Sequence, residues 1–198
     1  MREPNFVHLH LHSEYSLSDG IIRIEELIER SKALNFPAIA LTDLSNLFGL
    51  IKFYRLARNA GIKPIIGSEI NLVKEKESSP SPLVLLIKNK KGYINLTKLV
   101  SKAFIEGQQK GEPLVHLSWL EDHAEGLIAL SAGEKGHIGQ ALISDNIDLA
   151  LKRIEYFKKI FEGDFFLEIQ RLGKQNEEFL NNIPIFEMDV LDTNIPIN

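Results

Sequence analysis

Residues 83–87 read Leu-Val-Leu-Leu-Ile, with no polar side chain to turn toward water. A strand alternates its side chains between two faces, so a strand apolar at every position has to be covered on both. Two further runs share this character, Pro-Ala-Ile-Ala-Leu at 37–41 and Leu-Ile-Ala-Leu at 127–130. Between such runs lie stretches of helical period. Ile24, Leu27, Ile28, Ser31 and Leu34, for example, share one helix face. This alternation predicts an α/β fold in which parallel strands are wrapped by helices. In folds of that kind, sites form at the carboxyl ends of the strands.

The same reading places extended segments at 6–11, 63–67, 69–73 and 165–170. Helices are expected at 46–60, with Gly61 as the stop, and at 93–104, 119–123 and 177–181. The longest helix is expected at 145–161, with Asp145 as its N-cap. Residues 74–82, with charges, three serines and two prolines, read as a loop. One domain is expected over 1–182. The tail at 183–198 is off pattern and has room for one last strand.

At 44% hydrophobic and 25% charged, the 198 residues suit an ordinary globular core. The net charge of -4 argues against gripping duplex phosphates unaided, because that affinity comes mostly from Lys and Arg. No cysteine is present, which excludes disulfides and thiolate metal sites. The first residues, Met1-Arg2-Glu3-Pro4-Asn5, lack the apolar stretch of a signal peptide. No apolar run approaches the roughly 20 residues that span a bilayer. A cytoplasmic protein without membrane partners is therefore expected.

The chemistry-bearing string is His10-Leu11-His12-Ser13-Glu14-Tyr15-Ser16-Leu17-Ser18-Asp19-Gly20. At the end of an extended run, His10 and His12 point the same way, with His8 one step further back. A Ser/Gly turn returns Asp19 to their neighbourhood. Glu69, like Thr42-Asp43, follows an apolar run. Imidazoles and carboxylates together suit a borderline divalent metal. Asp43 also reads as a loop or helix cap. Glu14 and Tyr15 read as rim residues. His116, His123 and His137 match no ligand spacing, Trp119 reads as core, and Lys88-Asn89-Lys90-Lys91 reads as a solvated helix start.

Six segments carry a resemblance: FVHLHLHSEYSLSDG at 6–20, AIALTDLSNLFGLIKF at 38–53, GIKPIIGSE at 61–69, LVLLIKNKKGYINL at 83–96, GLIALSAG at 126–133 and FLEIQR at 166–171. In them the chain resembles the N-terminal polymerase-and-histidinol-phosphatase (PHP) domain of the bacterial replicative DNA polymerase III alpha subunit. The resemblance implies a distorted seven-stranded β/α barrel holding a trinuclear metal cluster. Only five or six strand-helix units can be counted here, so an incomplete barrel at the C-terminal end is expected.

Against the family pattern, the chain keeps His10, His12, Asp19 and Glu69. Leu44 stands where the resemblance implies a ligand histidine after Thr-Asp. Pro82 replaces a histidine ahead of the Leu-Val-Leu-Leu strand, and Gly133 replaces a cysteine. In the final Asn-Asp-x-His motif, Asp189 is the weak candidate aspartate and Leu191 stands for the histidine. Leu, Pro and Gly offer no side-chain lone pair. A full cluster is therefore not expected, and room remains for a single divalent ion, Zn, Mn or Mg.

The resemblance implies a place in DNA replication. The expectation is a catalytically inactive domain that supports the polymerase body and docks the proofreading exonuclease subunit, meeting nucleic acid only through the full-length polymerase. The resemblance also implies that the polymerase active site lies outside this segment. The alternative is a metal-dependent phosphoesterase or 3'–5' exonuclease with a reduced metal set. A third reading is a degraded product whose open sheet edge would favour aggregation.

Overall fold

The computed structural model describes residues 6–74, 79–170 and 190–192, the last three by their backbone only. The chain divides into two compact units, Met1–Glu69 and Ile70–Asn198.

The first unit contains α1 (Ile24–Ala33), β1 (Ala38–Leu41), α2 (Leu50–Asn59) and the opening of β2 (Lys63–Val73). All four residues of β1 are buried, as an apolar run covered on both faces requires. It runs parallel to β2, with Ala38 opposite Lys63 and Leu41 opposite Ile66. Of the anticipated face of α1, Leu34 is half-buried as the C-cap, while Ile24, Leu27, Ile28 and Ser31 are buried. Ser31 is tolerated there because its hydroxyl donates to the Leu27 carbonyl at 2.7 Å. Phe53 and Ala57 of α2 pack with Ile24, Leu27 and Ile28 and with Ile39, Leu41 and Ile62. Helix α2 begins later than the expected residue 46. Asn46 instead builds a turn: its Oδ1 accepts from Phe48 N, and its Nδ2 donates to the carbonyls of Tyr15 and Leu44. Gly61, at φ +78°, closes the helix end as expected.

The second unit holds the end of β2, then β3 (Ser81–Ile87), α3 (Lys90–Ile105), β4 (Gln108–Gln109), β5 (Glu112–His116), α4 (Leu117–His123), β6 (Leu127–Leu130), α5 (His137–Ile143), α6 (Ile147–Phe161), β7 (Phe165–Ile169) and β8 (Val190–Asp192). The strand order is β4-β5-β2-β3-β6-β7-β8, so among the described residues this sheet is open, an incomplete barrel. The α/β class holds, but the purely parallel sheet does not. Strands β2/β5, β6/β7 and β7/β8 are parallel, whereas β3 runs antiparallel to β6, with Val84 opposite Leu130. An all-apolar strand shows that both its faces are covered and carries no information on direction.

Other elements differ locally. Segments 63–67 and 69–73 form one strand. Asn146, not Asp145, caps α6: its side chain accepts from Leu149 N, while Asp145 sits at φ +54° in the preceding turn. Helix α3, at 16 residues, is longer than α6 at 15. The β4–β5 hairpin and α5 carry no periodicity long enough to announce them. The helix expected at 177–181 lies outside the described residues. Among the described residues, no helix is long and apolar enough to cross a membrane.

Candidate metal centre

The segment at 6–11 follows β1 without forming a regular strand. Ala40 N donates to His8 O at 2.8 Å, and Thr42 N to Leu11 O at 2.9 Å. Three steps on one side thus face two on the other, as in a bulge. His8 is left behind among aromatic rings, edge-on to Phe6 and Phe36. His10 and His12 converge on Glu69 from β2, as their shared parity predicts.

His10 Nε2 lies 2.7 Å from Glu69 Oε2, and His12 Nε2 lies 3.6 Å from the same oxygen. The two imidazole rings are 5.5 Å apart, edge to face. Each of the three residues offers one ligand atom, all within 4.8 Å of one another. The backbone of Glu69 is fixed from both sides: its N–H donates to Thr42 O at 3.1 Å, and its carbonyl accepts from Ser45 N at 2.7 Å.

Asp19 reaches the site through a tight turn. Ser16 N donates to Ser13 O, and Gly20 N to Ser16 O at 2.7 Å. Its Oδ2 lies 3.0 Å from His12 Nδ1, on the side of the ring away from Glu69. Asp19 is half exposed, and it orients His12 from outside the group of three. With its proton on Nδ1, His12 donates to Asp19 and leaves the Nε2 lone pair facing inward. That Nε2 atom is buried and without a hydrogen-bond partner.

This donor set fits a divalent ion: two imidazoles, one carboxylate and an oriented lone pair with nothing else to bond. His10, His12 and Glu69 would hold it, and Asp19 would fix the His12 tautomer. A bound ion of this type activates water and polarises phosphoryl oxygens.

Gly20 is demanded by the turn, because a Cβ there would stand 1.8 Å from Ser13 O. Gly20→Ala is expected to push the turn open, separate Asp19 from His12 and cost about 1–3 kcal/mol. Urea denaturation checks the stability, and the His12 ring ¹⁵N shifts check the lost contact.

Burial pushes the Glu69 carboxyl upward, but the hydrogen bond with His10 and the nearby His12 imidazole outweigh it and hold the group at about 2. Burial pushes His12 down, and the adjacent Glu69 carboxylate reverses this to a net rise. A depressed carboxyl stabilises above its ordinary 4.5, and that stabilisation is lost as pH falls toward about 2. A raised histidine stabilises below its ordinary 6.5 and ceases to as pH rises through its folded value. The metal-free protein is therefore expected to be most stable between those ordinary values. Losses on the order of 1–3 kcal/mol are expected on the acid side. Urea midpoints across pH in chelator check this, and Glu69→Gln should flatten the profile.

The remaining candidates fall elsewhere. Leu44 bridges to Glu69 in parallel register, so an apolar side chain stands at the edge of the site. Pro82 is the second residue of β3, and Gly133 opens a short 3-10 turn after β6. Both belong to the second unit. Gly133 adopts φ +55°, and a Cβ there would lie 2.7 Å from Gln170 Cδ. Asp189 lies outside the described residues. His116 packs on Trp119, His123 Nδ1 lies 2.8 Å from the Trp119 carbonyl, and the His137 carbonyl accepts from Arg153. Trp119 is half-buried, with the Lys102 ammonium 4.3 Å from its ring centroid. Lys88 pairs with Asp164, and Asn89 caps α3, as a helix start would.

Sequence reasoning was incomplete at two acids. Of the two readings of Asp43 as a loop or helix cap, the loop one is closer: it is buried and accepts from the backbone and hydroxyl of Ser13, 30 residues away. Burial pushes its carboxyl up, and the Ser13 hydrogen bonds pull it only part of the way back. Glu168, an acid within the apolar strand β7, is buried and accepts from Gln170 Nε2 at 2.7 Å. A carboxylate breaking the pattern Phe-Leu-Glu-Ile was the available signal.

Comparison with known proteins identifies the family. The family model described as "PHP domain" matches residues 8–172. The chain is 43% identical over 179 residues to DNA polymerase III subunit alpha of Vibrio cholerae, covering 90% of this chain and 15% of that one. The homologous subunit of Pseudomonas aeruginosa is 45% identical over 175 residues, covering 88% and 15%. That of Escherichia coli K12 is 40% identical over 179 residues, covering 90% and 15%. The chain thus spans about 15% of the length of these relatives. A solved two-domain protein from Bacteroides vulgatus, described as containing a predicted PHP-like metal-dependent phosphoesterase, is 15% identical with a TM-score of 0.48, covering 83% of this chain and 43% of that one.

Proposed function

The chain belongs to the PHP domain family, and we propose that it is the PHP domain of a DNA polymerase III alpha subunit that supports replication without hydrolysing phosphate esters itself. Its partners in this reading are the rest of the alpha subunit and the proofreading exonuclease subunit, and its compartment is the cytoplasm. Residues 1–182 would form the domain, with 183–198 as its tail.

The observation that carries this reading is the ligand set. His10, His12 and Glu69 come together, and the position across from Glu69 is filled by Leu44. Three donors suit one ion. A trinuclear cluster of the kind the resemblance implies needs more, and Leu44, Pro82 and Gly133 supply no side-chain lone pair. A site with a shortened ligand set holds its ion loosely and orients its water poorly.

A second reading is favoured by the His12–Asp19 pair, whose carboxylate-histidine arrangement is the kind that tunes working metal ligands. In that reading a single ion serves a phosphoesterase or 3'–5' exonuclease. The deciding experiment dialyses the purified chain against trace zinc and manganese, then measures ion content, hydrolysis of bis-p-nitrophenyl phosphate and retention of the exonuclease subunit. One ion or less, no hydrolysis and a retained exonuclease subunit support the first reading. Metal-dependent hydrolysis that disappears in His12→Ala replaces it with the second. A folded chain that fails to retain the exonuclease removes the docking role.

A further inference from the structure

The backbone on either side of His12 is gripped by side chains. Leu11, between the two histidines, donates its N–H to Thr42 Oγ1 at 2.8 Å, and the same hydroxyl donates to Leu11 O at 3.0 Å. Ser13, directly after His12, donates its N–H to Asp43 Oδ1 at 2.7 Å. Its hydroxyl lies 3.0 Å from each Asp43 oxygen. Ser13, Thr42 and Asp43 are each 1% exposed or less, so water does not compete for these bonds.

The grip is anchored to the third ligand as well. The Thr42 carbonyl accepts from Glu69 N at 3.1 Å, and the Asp43 carbonyl accepts from Ser68 Oγ at 2.7 Å. Two consecutive residues at the end of β1 therefore hold the His-Leu-His backbone with their side chains and the Ser-Glu segment with their carbonyls. The bulge beside β1 explains the need, since the regular ladder bond that would have satisfied Leu11 N is missing there. A buried amide without a partner is costly, so a hydroxyl in its place fixes the backbone strongly.

We propose that Thr42 and Asp43 are positioning residues for the candidate ion site: they clamp the two amides flanking His12 and set its ring against Glu69 before any ion arrives. The proposal rests on the metal-binding reading of that site. Outer-shell groups that pre-orient ligands reduce the ordering that ion binding would otherwise require.

Thr42→Val removes the hydroxyl at nearly constant volume, and Thr42→Ser retains it. Zn²⁺ titration calorimetry, amide hydrogen exchange and His ring ¹⁵N shifts of the metal-free 198-residue chain form the test. In Thr42→Val we expect Zn²⁺ affinity to fall about 10-fold or more. Leu11 amide exchange should rise by a factor on the order of 10, and the His12 ring signals should move. Thr42→Ser should restore all three.

A Thr42→Val protein that folds with wild-type affinity, Leu11 protection and His12 shifts overturns the proposal. So does a variant that merely loses stability while those ring shifts and the affinity of its folded fraction stay put. If Thr42→Val does not fold, the wild type decides: a Leu11 amide exchanging at the free-peptide rate overturns the clamp, and a protected one supports it. If the wild type takes up no Zn²⁺, the exchange and ring shifts still test the clamp, and only the metal reading falls.

Discussion

Glu69→Ala is expected to eliminate specific divalent-ion binding. Glu69 is the only anion among the three converging ligands, and its carboxyl is held ionised down to about 2. Two neutral imidazoles alone make a weak site. Loss of an outer partner already costs about 10–100-fold in affinity, so loss of this ligand should exceed 100-fold. The substitution also strips His10 of its hydrogen-bond partner and His12 of the neighbouring charge, in a site where each side chain is less than a fifth exposed. Removing one member of a buried, hydrogen-bonded pair costs about 3 kcal/mol. Zinc titration calorimetry and urea denaturation measure the two effects separately. A Glu69→Ala protein that keeps one tightly bound ion would remove Glu69 from the ligand set.

Phe53→Ala is expected to be the most damaging single change in the first unit. Phe53 is fully buried at the centre of a cluster with Ile24, Leu27, Ile28, Ile39, Leu41 and Ile62. Truncation leaves a ring-sized cavity, and losses of about 3–5 kcal/mol follow from Phe-to-Ala changes in such places. That is a large share of the roughly 5–15 kcal/mol by which domains are stable. The site should suffer too, because Leu11 and Tyr15, which flank His12, pack against this cluster. Ile51→Ala, two residues away on the opposite side of α2 and 64% exposed, serves as the control. It is expected within about 0.5 kcal/mol of wild type. Equal urea midpoints for the two variants would contradict the assignment of Phe53 to the core.

Much of this was legible in the chain. The face of α1, the burial of β1 and β6 and the closing role of Gly61 follow from side-chain period and backbone freedom, which are local properties. The His-x-His spacing likewise brings two rings to one side of an extended segment without help from the rest of the fold. Residue chemistry also shows that Leu44, Pro82 and Gly133 carry no side-chain donor atom.

Other features are properties of pairs far apart in sequence, and no local pattern encodes them. The antiparallel pairing of β3 with β6 is one, since an all-apolar strand is content in either direction. Asp19 was grouped with the histidines by proximity in sequence, but the turn at Gly20 brings it behind the His12 ring and leaves Glu69 in front. The exchange of a ladder bond for the Thr42 hydroxyl appears only when residues 11 and 42 are brought side by side. The amino-acid sequence by itself determined which groups could hold an ion and which strands had to be buried. The tertiary structure alone decided which groups meet, because hydrogen bonds and buried charges are satisfied by whatever the fold places within about 3 Å.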